Sequence, residues 1–295
     1  MLNLAGIAKQ GSDTIFSWWA RYQAAKAAGR DAVNGTIGAL LEDDGTLAIN
    51  KVVDAAIRVS PEVEISAYAP LAGLPAFLDL SKTLAFGETR TRFEELGFSF
   101  TSTATPGGSG ALYLAANNLL ERGQSTLLRD RHWGPYNGFL TNNGIDFVTW
   151  PLLPPNGHDV HPYFAADEFE IRLKELCSKQ DKVMVWLNDP AHNPTGLSMG
   201  DEGRAACLSS FVTSALNNEN TGHTLLIDSA YSLYADEPHA WGETILDAVE
   251  SGMPWPENLL ICIAISLSKS HTIYGLRTGA LVSIHPEKAV IDRLS

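Results

Sequence analysis

A chain of 295 residues, 45% of them hydrophobic, is long enough for a large buried core and lies near the length at which a single core stops growing. Its 21 basic and 34 acidic side chains leave a net charge of −13, so the surface opposes nucleic acid and anionic membranes, and a small anionic ligand must be held by a local device. Cys177, Cys207 and Cys262 show no C-x-x-C spacing, and such an odd, sparse set argues against a disulfide framework and fits a reducing, cytoplasmic compartment.

Met1 to Ala8 is mildly apolar but short and has no basic segment before it, so no signal peptide is expected. Residues 12–28 read as a first helix, capped by Ser12 or Asp13, with Ile15, Phe16, Trp19 and Tyr22 at helical spacing. Trp18 and Trp19 are expected to pack an N-terminal arm. A loop with Gly35, Gly38 and Gly45 follows, in which Glu42-Asp43-Asp44 lacks calcium-loop spacing and reads as a solvated turn. Residues 50–59 read as a second helix stopped by Pro61.

From about residue 98 apolar, β-branched runs alternate with helical stretches. The runs are 98–103, 126–128, 147–150, 183–187, 225–227, 259–265 and 280–284; the helices between them are 110–121, 165–178, 201–216 and 244–250. Near-continuous apolar strands separated by helices predict an α/β fold with a mostly parallel seven-stranded sheet covered by helices on both faces. In such sheets ligands bind at the carboxyl ends of the strands. The longest apolar run, 259–265, is too short to span a bilayer. Residues 153–162 form a Pro/Gly/His-rich surface loop; its His158 and His161 lack the glutamate or cysteine neighbours of a zinc motif, so no metal is expected. The chain stops inside a helical stretch, 287–294, with no capping signal, and the protein is expected to continue past Ser295.

Four loops that follow predicted strands carry candidate chemistry. In Thr105-Pro-Gly-Gly-Ser-Gly-Ala-Leu112 the glycines allow close backbone approach, Ser109 can act as N-cap and hydroxyl donor, and a helix N-terminus faces an anion; the same loop also reads as a tight strand-to-helix turn. No lysine occupies the P-loop position, which disfavours a nucleoside triphosphate. In Asn188-Asp-Pro-Ala-His-Asn-Pro-Thr-Gly196 two X-Pro steps build a rigid loop that can point the Asn193 amide into the strand-end crevice, or serve shape alone. In Leu226-Ile-Asp-Ser-Ala-Tyr231 an acid directly after a buried strand is costly without a cation or strong donor, so Asp228 is either a site residue or a helix N-cap. Ser266-Leu-Ser-Lys269, followed by Gly275-Leu-Arg277-Thr-Gly279, places a lysine beyond a buried strand, either as a solvated end charge or as a desolvated nucleophile.

Taken together, Asn-Pro-Thr-Gly (193–196), Asp-x-Ala-Tyr (228–231) and Ser-x-Ser-Lys269 with Arg277 eight residues later resemble the fold-type I pyridoxal-5′-phosphate (PLP) aminotransferases. The Gly-Gly-Ser-Gly loop, His132-Trp133-Gly-Pro-Tyr-Asn, Tyr68-x-Pro-Leu-x-Gly-Leu-Pro and Thr36-Ile-Gly38 are similar to the aspartate/aromatic branch of that family. The resemblance runs from about residue 12 to 294.

The resemblance implies that Lys269 holds the cofactor covalently and then shuttles a proton, that Asp228 pairs with the pyridine nitrogen, and that Asn193 and Tyr231 hydrogen-bond the ring oxygen. Trp133 would stack on one ring face and Ala230 would lie against the other. Gly108, Ser109, Ser266, Ser268 and Arg277 would bind the phosphate, joined by Tyr68 from a neighbouring subunit, which implies a homodimer. Gly38, Trp133 and Asn193 would line the substrate site. Residues 1–49 would form an N-terminal arm and part of a small domain, and 50–295 the large cofactor-binding domain. The family's two substrate-carboxylate arginines have no counterpart here. The implied reaction is transamination between an L-amino acid, of aspartate or aromatic type, and a 2-oxo acid. A lyase or decarboxylase would share the cofactor residues; Trp133 and the Gly-Gly-Ser-Gly loop favour transfer. A PLP-fold DNA-binding regulator is opposed by the charge and the lack of a helix-turn-helix, and an inactive scaffold by the intact Lys269, Asp228 and Arg277.

Overall fold

The computed structural model describes residues 14–36, 38–155 and 163–294. The chain divides into two compact units, one ending at Asn50 and one beginning at Lys51. In the first, α1 (Thr14–Ala27) precedes an extended segment closed by an antiparallel bridge between Leu41 and Leu47. Asp44 accepts hydrogen bonds from the Thr46 backbone N–H (2.9 Å) and hydroxyl (2.6 Å), which makes the acidic cluster the turn that was expected. Phe16, Trp18 and Trp19 of α1 are exposed, with the Arg21 guanidinium 4.5 Å from the centroid of the Trp18 ring. Ser12 and Asp13 lie outside the described residues.

The second unit opens with α2 (Lys51–Arg58), α3 (Glu62–Ser66), α4 (Pro75–Phe86) and α5 (Thr89–Glu95). The strands are β1 (Ser99–Pro106), β2 (Ser125–Arg129), β3 (Asp146–Trp150), β4 (Lys182–Asn188), β5 (Gly222–Asp228), β6 (Leu259–Ser266) and β7 (Thr278–His285). They form one seven-stranded sheet in the order β1-β7-β6-β5-β4-β2-β3. The five strands from β2 to β6 are parallel neighbours, whereas β7 runs antiparallel to both β1 and β6.

Alternation along the strands builds the two halves of the core. Val183, Val185 and Leu187 of β4 point into one cluster with Leu225, Ile227, Ile261 and Ile263, and Met184 and Trp186 point into the other with Leu226, Cys262 and Ala264. On the first face lie α8 (Ala166–Cys177), α9 (Gly200–Asn217) and α10 (Ala240–Glu250); α9 buries Cys207, Leu208, Phe211, Val212 and Ala215 at helical spacing. The second face is covered by α6 (Gly107–Leu119), through Ala111, Leu112, Ala115 and Ala116, and by α7 (Pro135–Asn142), through Tyr136 and Leu140. The short helices α11 (Leu267–Ser270) and α12 (Lys288–Asp292) complete the unit.

All seven expected strands are present. The helices α3, α4, α5 and α7 were not anticipated. Pro61 caps α3, and Pro75 and Pro135 open α4 and α7, positions at which the missing N–H has no helical partner to lose.

Candidate active site

The sheet register brings the candidate loops to one edge. Asn188 pairs with Asp228, Asp228 with Ala264, Ser266 with Gly279, and Thr278 with Pro106. Because β7 runs against its neighbours, its first residues meet the last residues of β6 and β1. Four strand ends and one strand start therefore open onto a common rim.

One end of the rim is built by close backbone packing. A Cβ on Gly279 would lie 2.4 Å from the Gly107 carbonyl carbon and 2.5 Å from the Ile265 oxygen, so only glycine lets β6, β7 and the start of α6 meet. Gly107 has φ +74°, and a Cβ there would come 2.8 Å from Arg277 Nη2. Likewise a Cβ on Gly108 would come 2.9 Å from the Ser266 Cβ. Arg277 donates from Nη1 to Ser268 Oγ (3.3 Å) and from Nη2 to Ser109 Oγ (3.5 Å), both long contacts. A guanidinium, two hydroxyls and the uncapped N-terminus of a 13-residue helix thus converge, a cradle for a compact anion. Ser109 is not the N-cap that was expected: Pro106 takes that position and makes no side-chain cap, and Ser109 sits in the first turn with its hydroxyl facing Arg277.

At the other end, Asp228 is buried at the tip of β5 and makes no ion pair among the described residues. Its Oδ2 accepts a hydrogen bond from Tyr136 Oη at 2.5 Å, and its Oδ1 accepts one from the Ala230 N–H at 3.1 Å. Burial pushes the carboxyl pKa up to about 6, against the pull of those two donors. Asn188, also buried, donates from Nδ2 to the Asp228 carbonyl (2.9 Å) and accepts the Asn193 N–H on Oδ1 (2.6 Å). It ties the two loops together. Asn193 Nδ2 donates to Tyr231 Oη at 3.3 Å. The Tyr231 phenol pKa is raised by burial and then by the Asp228 charge.

Lys269 lies in α11, half-buried, with Nζ 5.7 Å from the Tyr231 ring centroid and 5.1 Å from that of Tyr274. Burial lowers its pKa, and the Arg277 charge lowers it further. Trp133 packs edge-on against Tyr136 (5.6 Å) and Phe139 (5.8 Å), and so reaches Asp228 through Tyr136.

The loop bearing Asn193 is anchored from behind. Asp189, fully buried, accepts the Met199 N–H (2.8 Å) and the Trp241 indole N–H (2.9 Å), and lies 3.5 Å from Arg204 Nη1.

Two further expected residues belong to other segments of the chain. Tyr68 is fully exposed on the loop between α3 and α4. Gly38 belongs to the first unit. Tyr136 and Asn188 were overlooked as site residues, although both lie inside motifs that were singled out. Among the described residues no group of histidine, cysteine, aspartate or glutamate could hold a metal, and His158 and His161 lie outside them.

Residues 30–295 match the sequence profile of aminotransferase class I and II, and the chain belongs to that family. It is 25% identical over 284 residues to the mitochondrial aspartate aminotransferase of Dictyostelium discoideum, an alignment covering 90% of this chain and 62% of that one. It is 26% identical over 292 residues to the aromatic-amino-acid aminotransferase of Paracoccus denitrificans, covering 97% of this chain and 66% of that one. The crystal structure of an aminotransferase from Anaerococcus prevotii superposes with a TM-score of 0.87 at 27% identity, covering 100% of this chain and 69% of the other. The chain therefore spans a little under two thirds of the first of these relatives.

Proposed function

We propose that the protein is a PLP-dependent aminotransferase that moves an amino group between an L-amino acid, of aspartate or aromatic type, and a 2-oxo acid. The observation that carries this reading is Asp228: a buried carboxylate with no ion pair among the described residues, on the same rim as a half-buried lysine and an arginine–serine anion cradle. Those residues fit the cofactor. Its phosphate matches the cradle of Gly108, Ser109, Ser266, Ser268 and Arg277, its aldehyde matches Lys269, and its pyridine N–H supplies the cation that Asp228 lacks. When bound, PLP supplies an electron sink conjugated to the substrate's α-carbon.

The chain's own residues prepare the rest. Desolvation and the Arg277 charge keep more of Lys269 unprotonated, so that Nζ can bind the aldehyde and later carry the proton removed from the substrate α-carbon. Asp228 would hold the proton on the ring nitrogen of bound PLP. Asn193 and Tyr231, already hydrogen-bonded to each other, present an amide N–H and a phenol O–H to the ring oxygen. Trp133 would cover one face of the bound ring and Ala230 the other. In this proposal Trp133 and Asn193 would line the substrate side, Gly38 would be the contribution of residues 1–49 as an arm and part of a small domain, and 50–295 would be the large domain.

The proposed assembly is a homodimer in which Tyr68 reaches the partner's phosphate. In support, Tyr68 and Leu71 are fully exposed, and Val59, Val63 and Ile65 beside them are also exposed. The proposed compartment is the cytoplasm, consistent with three free thiols of which Cys207 and Cys262 are buried. No helix among the described residues is long and apolar enough to cross a membrane.

The test is a PLP titration of the intact protein by absorbance, followed by single-turnover reaction with a panel of L-amino acids. Formation of the aminated cofactor together with the matching 2-oxo acid is expected, fastest for aspartate or an aromatic amino acid. Loss of carbon dioxide, or elimination without amination of the cofactor, would replace this reading with a decarboxylase or a lyase.

A further inference from the structure

We propose that Tyr136 is a positioning residue of this site: its hydroxyl clamps the Asp228 carboxylate in the ionised, oriented form that the ring nitrogen requires, and its ring braces Trp133. The inference rests on the cofactor reading above and adds the residue that makes Asp228 serviceable.

Tyr136 is buried in α7, and its Oη lies 2.5 Å from Asp228 Oδ2. A carboxylate only accepts, so the phenol donates. A hydrogen bond to a charged group is among the strong ones, and at this depth no water competes for it. Packing alone does not call for the oxygen, since a phenylalanine would fill the same volume. Burying a phenol against a carboxylate is costly to both groups unless each serves the other.

The ring of Tyr136 is fixed on several sides. The Trp186 ring lies 4.6 Å away, His132 stacks on it at 6.2 Å, and Trp133 meets it edge-on at 5.6 Å. The Tyr136 N–H donates to the Trp133 carbonyl at 3.0 Å. One short segment thus positions both Asp228, which would meet the ring nitrogen, and Trp133, which would cover a ring face. Among the described residues, Tyr136 of α7 and Ser229 and Tyr231 of the loop after β5 bring hydroxyls near Asp228, Lys269 Nζ lies 5.7 Å from the Tyr231 ring centroid, and β4 contributes the neutral Asn188.

The experiment compares wild type and Tyr136→Phe with two readouts. The first is the titration midpoint of the Asp228 carboxyl, followed by carbon-13 NMR in the cofactor-free protein. Removal of the donor should raise it by about one pH unit or more, a tenfold change in proton affinity. The second is the dissociation constant for PLP, which should weaken about tenfold or more. A side chain needed only for packing would lower the melting temperature and leave the midpoint in place. An unmoved midpoint with PLP affinity within twofold of wild type overturns the proposal. If wild type binds no PLP, the cofactor reading fails, while the midpoint still decides whether the clamp exists. Should Tyr136→Phe not fold, site-specific replacement of Tyr136 by 3,5-difluorotyrosine keeps the shape and acidifies the phenol. The midpoint should then fall, and no change would again overturn the clamp.

Discussion

Lys269 and Asp228 are both held where burial disfavours their charged forms, which costs the folded state stability. For Asp228 the folded pKa of about 6 stands above the ordinary 3.8, so the folded state holds the proton more tightly than the unfolded one. Its contribution to stability is intact below about pH 4 and is lost as pH rises through 6, a cost of roughly 3 kcal/mol near neutrality, to order of magnitude. Asp228→Asn should therefore raise the melting temperature of the cofactor-free protein at pH 8 and change it little at pH 4, as scanning calorimetry at the two pH values would show. The same change should slow the amino-acid half-reaction on the order of 10³-fold, because the preorganised partner of the ring nitrogen is gone. Near-wild-type single-turnover kinetics would remove Asp228 from that role. Lys269→Ala should abolish covalent cofactor attachment. Borohydride treatment followed by peptide mass spectrometry should find the label on residues 267–270 of wild type and nowhere on the variant. Arg277→Ala should weaken PLP binding by about 1.5–3 kcal/mol, the value of hydrogen bonds to a charged group, with little change in the spectrum of bound cofactor. An unchanged dissociation constant would show that the guanidinium serves another purpose.

Between elements, the decisive contact is the one that a single hydrogen atom permits, where Gly279 of β7 passes the Gly107 carbonyl. Gly279→Ala should separate β7 from α6, lower stability by about 1–3 kcal/mol and loosen the anion cradle, measured as a shifted denaturation midpoint and weaker PLP binding. Gly138 offers the contrast. It lies exposed within α7 with nothing within 4 Å of an added Cβ, so Gly138→Ala should stabilise by up to about 1 kcal/mol through helix propensity. This element-level logic also explains what could be read beforehand. The strands were legible because 183–187 and 259–265 are buried on both faces and so carry uninterrupted apolar runs. The loops after them were legible because ligand chemistry in such sheets collects at strand ends. The helices α3, α4 and α7 were hidden by prolines that read as breakers but stand at helix starts. Tyr136 was hidden with α7, since a tyrosine in an apparent loop gives no sign that it faces a strand 92 residues away in sequence. Asn188 was visible as a motif residue, but its function depends on the register that sets it beside Asp228, and register between non-consecutive segments leaves no local trace.

At the scale of the molecule, the fully exposed Tyr68 and Leu71 give the assembly its test. If Tyr68 completes the phosphate site of a second copy, PLP binds a site that a monomer lacks and must favour the dimer by mass action. Sedimentation equilibrium should show tighter self-association with PLP, and Tyr68→Phe should lessen that difference. A monomer that binds PLP at full affinity would confine the site to one chain. The sheet order carries a different consequence, in the time domain of synthesis. Within this sheet the first strand made pairs with the seventh: Ser99 with His285, and Pro106 with Thr278. Since β7 also lies between β1 and β6, β1 has no neighbour in the sheet until β7 has been made. While β2 to β6 are being made, the nascent chain carries β1 without a neighbour in this sheet. Closing so long a loop is slow, and an open edge invites pairing with other chains. The strand that brings Gly279 to the site rim is thus also the one whose arrival closes the open edge of β1.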